Sequence, residues 1–277
     1  APHDTVCPMR HPYFDLPTPI VIGHRGASGE LPENTLEAFE RALSQGALML
    51  ETDAHLSRDG EVVLSHDPRV DRTTEGSGAI EEYTLAELQR LDAGYRFSPD
   101  RGGSFPCRGE GIRIPTLREA FERFPGIRFN IEIKQNSLPL IDATVRIVAE
   151  ARRAETTLLA AAEDDTMSVL RARLAESELR PAMGAAVGDI VGFARAAAAG
   201  EAPPPEPMAL QSPPTFAGNP LVTTELVEFA HRHDVQVHVW TINDEDEMGR
   251  LLDLGVDGVM SDFPALLRKV VDARGLP

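Results

Sequence analysis

Apolar residues return along this chain in two alternating rhythms. Short runs rich in Val, Ile, Leu and Ala, suited to buried strands, are PIVIGH (19–24), ALMLETD (47–53), RFNIEIK (128–134), TTLLAAA (156–162), RPAMGAA (180–186), MALQ (208–211), VQVHVWTI (235–242) and DGVMSD (257–262). Between most of them apolar side chains recur every three or four residues, the spacing of a helix with one buried face. In NTLEAFERALSQG, Leu36, Phe39 and Leu43 share a face, Asn34 and Glu37 are spaced as a capping box, and Gly46 can close the helix. TLREAFERF repeats the device with Thr116 and Glu119, and NDEDEMGRLLDLG starts from Asn243. Strands that alternate with helices pair in parallel, and eight such units in 277 residues predict one closed (β/α)8 TIM barrel. Functional groups then belong at the carboxyl ends of the strands.

The second unit is irregular, because no further barrel helix is expected until Thr116. A ninth β-like run, EVVLSHD (61–67), follows Asp59-Gly60, a two-residue hairpin signal. Pairing Arg58 with Glu61 would set Asp53 opposite His66 and bring Glu51, Asp53 and His66 to one face; a single bulge would break that register. Pro68 to Ile114 contains TLAELQRL and the Gly- and Arg-rich RFSPDRGGSFPCRGEG, and reads as a lid-like insertion above the barrel mouth. AAAAGEAPPPEP reads as a surface loop. The expected organisation is a single domain over 1–277 with an insertion at about 54–115.

Charge narrows the partners. The chain carries 44 acidic against 27 basic residues, a net −17, so no broad basic surface exists for nucleic acid or an anionic membrane. A small anionic substrate would need cations gathered locally. The two cysteines, Cys7 and Cys107, are far apart without ligand spacing, and read as unpaired thiols. No apolar run approaches the ~20 residues of a membrane helix, and APHDTVCPMRHPYFDLP lacks a signal-like core, so stable membrane insertion is not expected. The expected compartment is the cytoplasm; a leader removed before Ala1 would make it periplasmic or secreted.

His24 and Arg25 end the first strand run. Glu51 and Asp53 share a face of the second, and Glu132 and Lys134 share a face of the third. Three carboxylates converging on one mouth repel and raise one another's pKa unless a cation sits among them. Oxygen-only donors suit Mg²⁺ or Ca²⁺ better than Zn²⁺. His55 faces the same side but reads as structural. Lys134 is one of only two lysines, the other being Lys269, although a plain salt bridge to Glu132 would also explain it. With His66 as a second imidazole, the set forms an acid/base apparatus for phosphoryl chemistry. No G-x-S-x-G elbow, dinucleotide loop or Walker loop is present, and neither cysteine has an evident activating base.

HRGASGELPENT, ETD, SRDGEVVLSHDP, VDRTTEGSGAIEEYTLAELQRLDAG, IPTLREAF, NIEIK, VHVWTIN and GVDGVMSDFP resemble, in order and over nearly the whole chain, the motifs of the glycerophosphodiester phosphodiesterase family. The resemblance implies a barrel with an insertion after its second strand, one divalent cation, and hydrolysis of a glycerophosphodiester to glycerol 3-phosphate and an alcohol such as choline or ethanolamine. It implies His24 and His66 as acid/base groups and Glu51, Asp53 and Glu132 as metal ligands. Arg25 and Lys134 become substrate contacts. Glu33 of PENT is grouped with them, with three readings: orienting Arg25, reaching toward the metal, or a structural role; Trp240 is placed to wall the glycerol pocket. Thr52 departs from the family, which usually has an apolar residue there; pointing away from its neighbours, it is expected to leave catalysis unaffected. The competing enzyme reading is a phospholipase D-like or sphingomyelinase D-like lipid phosphodiesterase on the same fold. It needs an apolar or basic rim, against which the acidic composition argues. A non-catalytic binder is disfavoured because both histidines and all three carboxylates are present.

Overall fold

The computed structural model describes residues 11–277. In chain order its strands are β1 (Ile20–His24), β2 (Met49–Leu56), β3 (Val62–Leu64), β4 (Arg128–Ile133), β5 (Thr157–Ala160), β6 (Ala182–Met183), β7 (Ala209–Ser212), β8 (Thr215–Phe216), β9 (Asn219–Pro220), β10 (Gln236–Val239) and β11 (Gly258–Ser261). Its α-helices are α1 (Leu36–Ser44), α2 (Leu85–Leu88), α3 (Leu117–Arg123), α4 (Leu138–Glu150), α5 (Asp164–Ala175), α6 (Val187–Ala199), α7 (Thr224–Arg232), α8 (Glu245–Asp253) and α9 (Pro264–Ala273). Each of the eight apolar runs becomes a barrel strand. They pair in parallel in the order β6-β5-β4-β2-β1-β11-β10-β7. A bridge between Gly184 and Ala209, with the Met208 N–H donating to the Met183 carbonyl at 2.9 Å, joins β6 to β7 and brings the ring to near closure. Glycine is required at that seam, since a Cβ on Gly184 would sit 2.6 Å from Gln211 Oε1 and 2.8 Å from Ala160 Cβ. The architecture is a (β/α)8 barrel.

Side-chain hydrogen bonds set the helix starts. Thr116 and Glu119 form the expected capping box on α3. On α1 the cap is Thr35 rather than Asn34, its Oγ1 accepting from Ala38 N at 3.2 Å, and on α8 it is Asp244 rather than Asn243. Both asparagines are spent elsewhere, on carboxylates of the mouth. AAAA (196–199) is the last turn of α6, closed by Gly200 at φ +68; alanine's helix preference extends the element into the expected loop. The small hairpin β8–β9 is an unforeseen addition.

The β2–β3 register also differs from expectation. Ala54 pairs with Leu64, His55 with Val63 and Leu56 with Val62, so Asp53 lies opposite Ser65, whose N–H donates to its carbonyl at 3.0 Å. The hairpin loop holds Arg58, Asp59 and Gly60. Ser57 N–H donates to the Glu61 carbonyl at 2.9 Å, and Gly60 takes the left-handed position at φ +85. A three-residue loop with such a glycine is a common hairpin form, and it moves the register by one. His66 still reaches the mouth, because β3 ends at Leu64 and the chain turns there.

The main core fills the barrel and its helix layer. Beneath it Tyr13 closes the amino end, its hydroxyl donating to Met49 Sδ at 3.0 Å while Arg128 Nε donates to its carbonyl at 2.6 Å. The insertion has a core of its own, including Val70, Ile80, Leu88, Cys107 and Ile114. Among the described residues none between 68 and 114 lines the mouth's pocket, and the insertion meets the mouth through Arg72, which donates to Glu33 and Asp67. Cys107 is a buried free thiol, and Cys7 lies outside the described residues. No helix among the described residues is long and apolar enough to cross a membrane.

Candidate active site

The pocket, about 260 Å³, opens at the carboxyl ends of the strands. Parallel pairing sets His24 beside Glu51 and Asp53 beside Glu132 as direct neighbours, which is how side chains distant in sequence share one rim. His24, Arg25, Glu51, Asp53, His66, Glu132, Lys134 and Trp240 all line the pocket. Oxygens of Glu51, Asp53 and Glu132 lie within 4.8 Å of one another. Glu51 and Asp53 are buried, and burial together with the Asp53 charge pushes Glu51 up to about 8. Three oxygen donors at this separation fit a hard divalent cation.

Two cations border the trio. Lys134 Nζ lies 3.1 Å from Glu132 Oε1 and 3.6 Å from Asp53 Oδ1. Burial would lower the Lys134 ammonium, but Glu132 and Asp53 outweigh it and hold it raised. Arg25 stands at φ +53 after β1; its backbone N–H donates to Glu51 Oε2 at 3.0 Å, and its Nε lies 3.2 Å from Asp53 Oδ2. That Nε–H is not aimed at any acceptor among the described residues, so the contact is ionic and leaves a donor for a ligand.

Glu33, expected among the substrate contacts, turns to arginines and not into the pocket. It accepts from Arg25 Nη1 at 3.1 Å and from both Arg72 terminal nitrogens at 2.7 Å, and it is absent from the pocket lining. Burial would raise Glu33, but the two arginines hold it below the usual carboxylate range. Arg72 also donates through Nε to Asp67 at 2.6 Å, so an ionic chain runs from His66 through Asp67, Arg72, Glu33 and Arg25 to Asp53.

Each histidine is held from behind by an aspartate that sequence reasoning left unassigned. His24 Nδ1 is 2.7 Å from Asp262 Oδ1, and His66 Nδ1 is 2.8 Å from Asp67 Oδ1. Nε2 of His66 is left for chemistry, whereas Nε2 of His24 lies 3.3 Å from Thr241 Oγ1, a hydroxyl of the pocket lining, and 4.0 Å from Glu51 Oε2. Burial would lower the His24 imidazole, but Asp262 and Glu51 outweigh it and hold it above its usual range. Burial would likewise raise Asp67, yet Arg72 and His66 bring it down to about 2. Asp262 also accepts from Ser28 Oγ at 2.7 Å and from Asn243 Nδ2 at 2.6 Å. Its place one residue beyond β11 is the same strand-end signal that singled out His24.

His55 is buried, with Nε2 3.1 Å from the His66 carbonyl; it pins the His66 turn and stays out of the pocket. Trp240 leaves 41% of its surface exposed along one wall. Ala160, Ala161, Ala162 and Ala185 line the pocket with it. Asn130 Oδ1 and Gln211 Nε2 are buried among the lining residues without a partner among the described residues, an acceptor and a donor for a bound molecule.

A parallel barrel whose mouth gathers carboxylates, imidazoles and cations around a small pocket defines a barrel phosphodiesterase. Residues 24–266 match the model of the glycerophosphoryl diester phosphodiesterase family, and the chain belongs to that family. It is 32% identical over 264 residues to a glycerophosphodiester phosphodiesterase of Caldanaerobacter subterraneus subsp. tengcongensis, covering 92% of this chain and 99% of that protein. It is 30% identical over 270 residues to human lysophospholipase D GDPD1, covering 89% and 84%. A phosphodiesterase of Oleispira antarctica, solved in complex with the product sn-glycerol-3-phosphate, superposes with a TM-score of 0.73 at 29% identity, covering 92% of this chain and 97% of that one.

Proposed function

We propose that this enzyme hydrolyses small glycerophosphodiesters, such as glycerophosphocholine or glycerophosphoethanolamine, to glycerol 3-phosphate and an alcohol. The observation that carries this reading is the meeting of Glu51, Asp53 and Glu132 oxygens within 4.8 Å, in a pocket that His24, His66, Arg25 and Lys134 also line. Glu51, Asp53 and Glu132 would hold one divalent cation, Mg²⁺ or Ca²⁺, which when bound supplies Lewis-acid polarisation of a phosphate oxygen. Arg25 and Lys134 supply permanent positive charge to the phosphate in an otherwise acidic protein. One imidazole takes the proton of the attacking oxygen as the new O–P bond forms: either a water, which gives glycerol 3-phosphate directly, or the substrate's own 2-hydroxyl, which gives a cyclic phosphate that a water then opens to glycerol 3-phosphate. The other gives its proton to the alcohol as the old P–O bond breaks. Asp262 and Asp67 hold the two rings with Nε2 turned to the ester. Acid/base help contributes about 3–5 kcal/mol of the roughly 8–23 kcal/mol enzymes supply, which leaves the rest to positioning and to the positive charges.

The test uses the full chain stripped of metal by chelation, a panel of glycerophosphodiesters with lysophosphatidylcholine beside them, and Mg²⁺ or Ca²⁺ restored singly. Glycerol 3-phosphate should appear only with a cation restored, and faster from the soluble diesters. Full turnover in chelator, or release of choline from the lysolipid alone, would overturn the reading.

A further inference from the structure

We infer that Thr52 and Asn34 orient Asp53 for the cation, making Thr52 a positioning residue of the metal site. This rests on the reading of Glu51, Asp53 and Glu132 as its ligands. In β2 the side chains of Glu51 and Asp53 enter the mouth, so Thr52 between them points the other way, into the packing beneath the PENT turn. It is fully buried, and its hydroxyl needs a partner. The partner is Asn34 Oδ1, at 2.6 Å.

The same oxygen faces the Asp53 backbone N–H at 3.4 Å. With two donors directed at Oδ1, the amide has one permitted orientation, and its Nδ2 donates to Asp53 Oδ2 at 2.9 Å. Arg25 Nε is 3.2 Å from that same Oδ2. One carboxylate oxygen is thus claimed from behind. The other, Oδ1, is left on the side of Glu132, where Lys134 Nζ is 3.6 Å from it and 3.1 Å from Glu132 Oε1.

Asn34 reaches this position by adopting φ +57, a left-handed conformation that asparagine tolerates better than most residues, with only 2% of its surface exposed. Glycine would take that conformation more easily but would bring no amide. The relay therefore runs from a hydroxyl outside the pocket to a ligand inside it. Partners of this kind typically govern affinity about 10- to 100-fold. Sequence reasoning expected Thr52 to be neutral because it points away from the carboxylates; it acts through what it points at.

The test compares wild type, Thr52→Val and Thr52→Ser in the metal-free full chain. Mg²⁺ and Ca²⁺ are titrated separately by calorimetry, and melting is followed without metal. Valine keeps the shape and removes the donor. Thr52→Val should weaken cation binding about tenfold with a metal-free melting temperature near that of wild type, while Thr52→Ser should restore most of the affinity. Equal affinity in Thr52→Val and wild type, or equal losses in Thr52→Val and Thr52→Ser, would overturn the inference while leaving the metal reading intact. A wild-type chain that binds neither cation would overturn both.

Discussion

The barrel mouth has two unlike arcs. Along β11, β1, β2 and β4, successive strand ends present Asp262, His24, Glu51, Asp53 and Glu132, with Lys134 just beyond. Across the pocket, β5, β6 and the segments that follow them present Ala160, Ala161, Ala162 and Ala185, and β7 adds the amide of Gln211. Both arcs use the same repeating unit, so the fold does not impose the difference. The charged arc fixes positions, because each carboxylate has a cation, an amide or a hydroxyl holding it. The alanine arc fixes only shape. It offers little that polarises, and a low-polarity wall facing the charges strengthens their field at a phosphate between them.

The sharpest way to break this comparison is to remove one proposed cation ligand from the charged arc. Glu51→Gln, Asp53→Asn and Glu132→Gln should each lower kcat/KM by about 10³ or more, with loss of calorimetric cation binding. His24→Ala and His66→Ala should cost about 10²–10⁴ with cation binding kept within a few-fold. Near-normal turnover in Glu51→Gln beside an inactive His24→Ala would mean that the imidazoles, and not the positive charges, dominate.

A smaller effect belongs to the alanine arc. Ala185→Leu narrows the pocket without touching any charged group, and should change the ratio of kcat/KM for glycerophosphocholine to that for glycerophosphoethanolamine by about tenfold, the scale of filling an apolar pocket. Cation affinity should not move. If both diesters lost activity in equal proportion, the alanine arc would have no part in discrimination.

The arcs also differ in how much of them could be read from sequence. All eight strands followed from short apolar runs, and the lining residues of the charged arc followed from strand-end position plus side-chain chemistry. Residues acting on those side chains from behind did not. Asp262, Asp67, Asn34 and Thr52 are defined by where their hydrogen bonds end, which depends on turns and on ladder register. The hairpin shows how fine that dependence is, since one additional loop residue before Glu61 moved the pairing of His66 off Asp53. Asn34 and Asn243, each read as a helix start, lie next to the true cap and point their amides at carboxylates of the mouth. The alanine arc was invisible, because alanine in an apolar run signals burial and says nothing about the cavity it leaves.

The smallest expected effect is on stability, and it separates the arcs by pH. Glu51 is raised from about 4.5 in the unfolded chain to about 8 by burial and by Asp53. A carboxyl group raised on folding binds its proton more tightly in the native state. Its contribution is fully present below about pH 4.5 and is lost as pH climbs toward 8. In metal-free protein Glu51→Gln removes that loss, so the variant should melt with wild type near pH 5 and above it at pH 8 to 9. The gap should be close to zero near pH 5, widen steadily as pH rises, and level off above about pH 8. Adding Mg²⁺ or Ca²⁺ at pH 8 should reverse the order, since only wild type keeps all three carboxylates to bind it. Ala185→Leu offers the control: nothing on its arc titrates, so its offset from wild type should be the same at pH 5 and pH 9. Coincident melting of Glu51→Gln and wild type at pH 9 would show that the charged arc carries no uncompensated negative charge for a cation to neutralise.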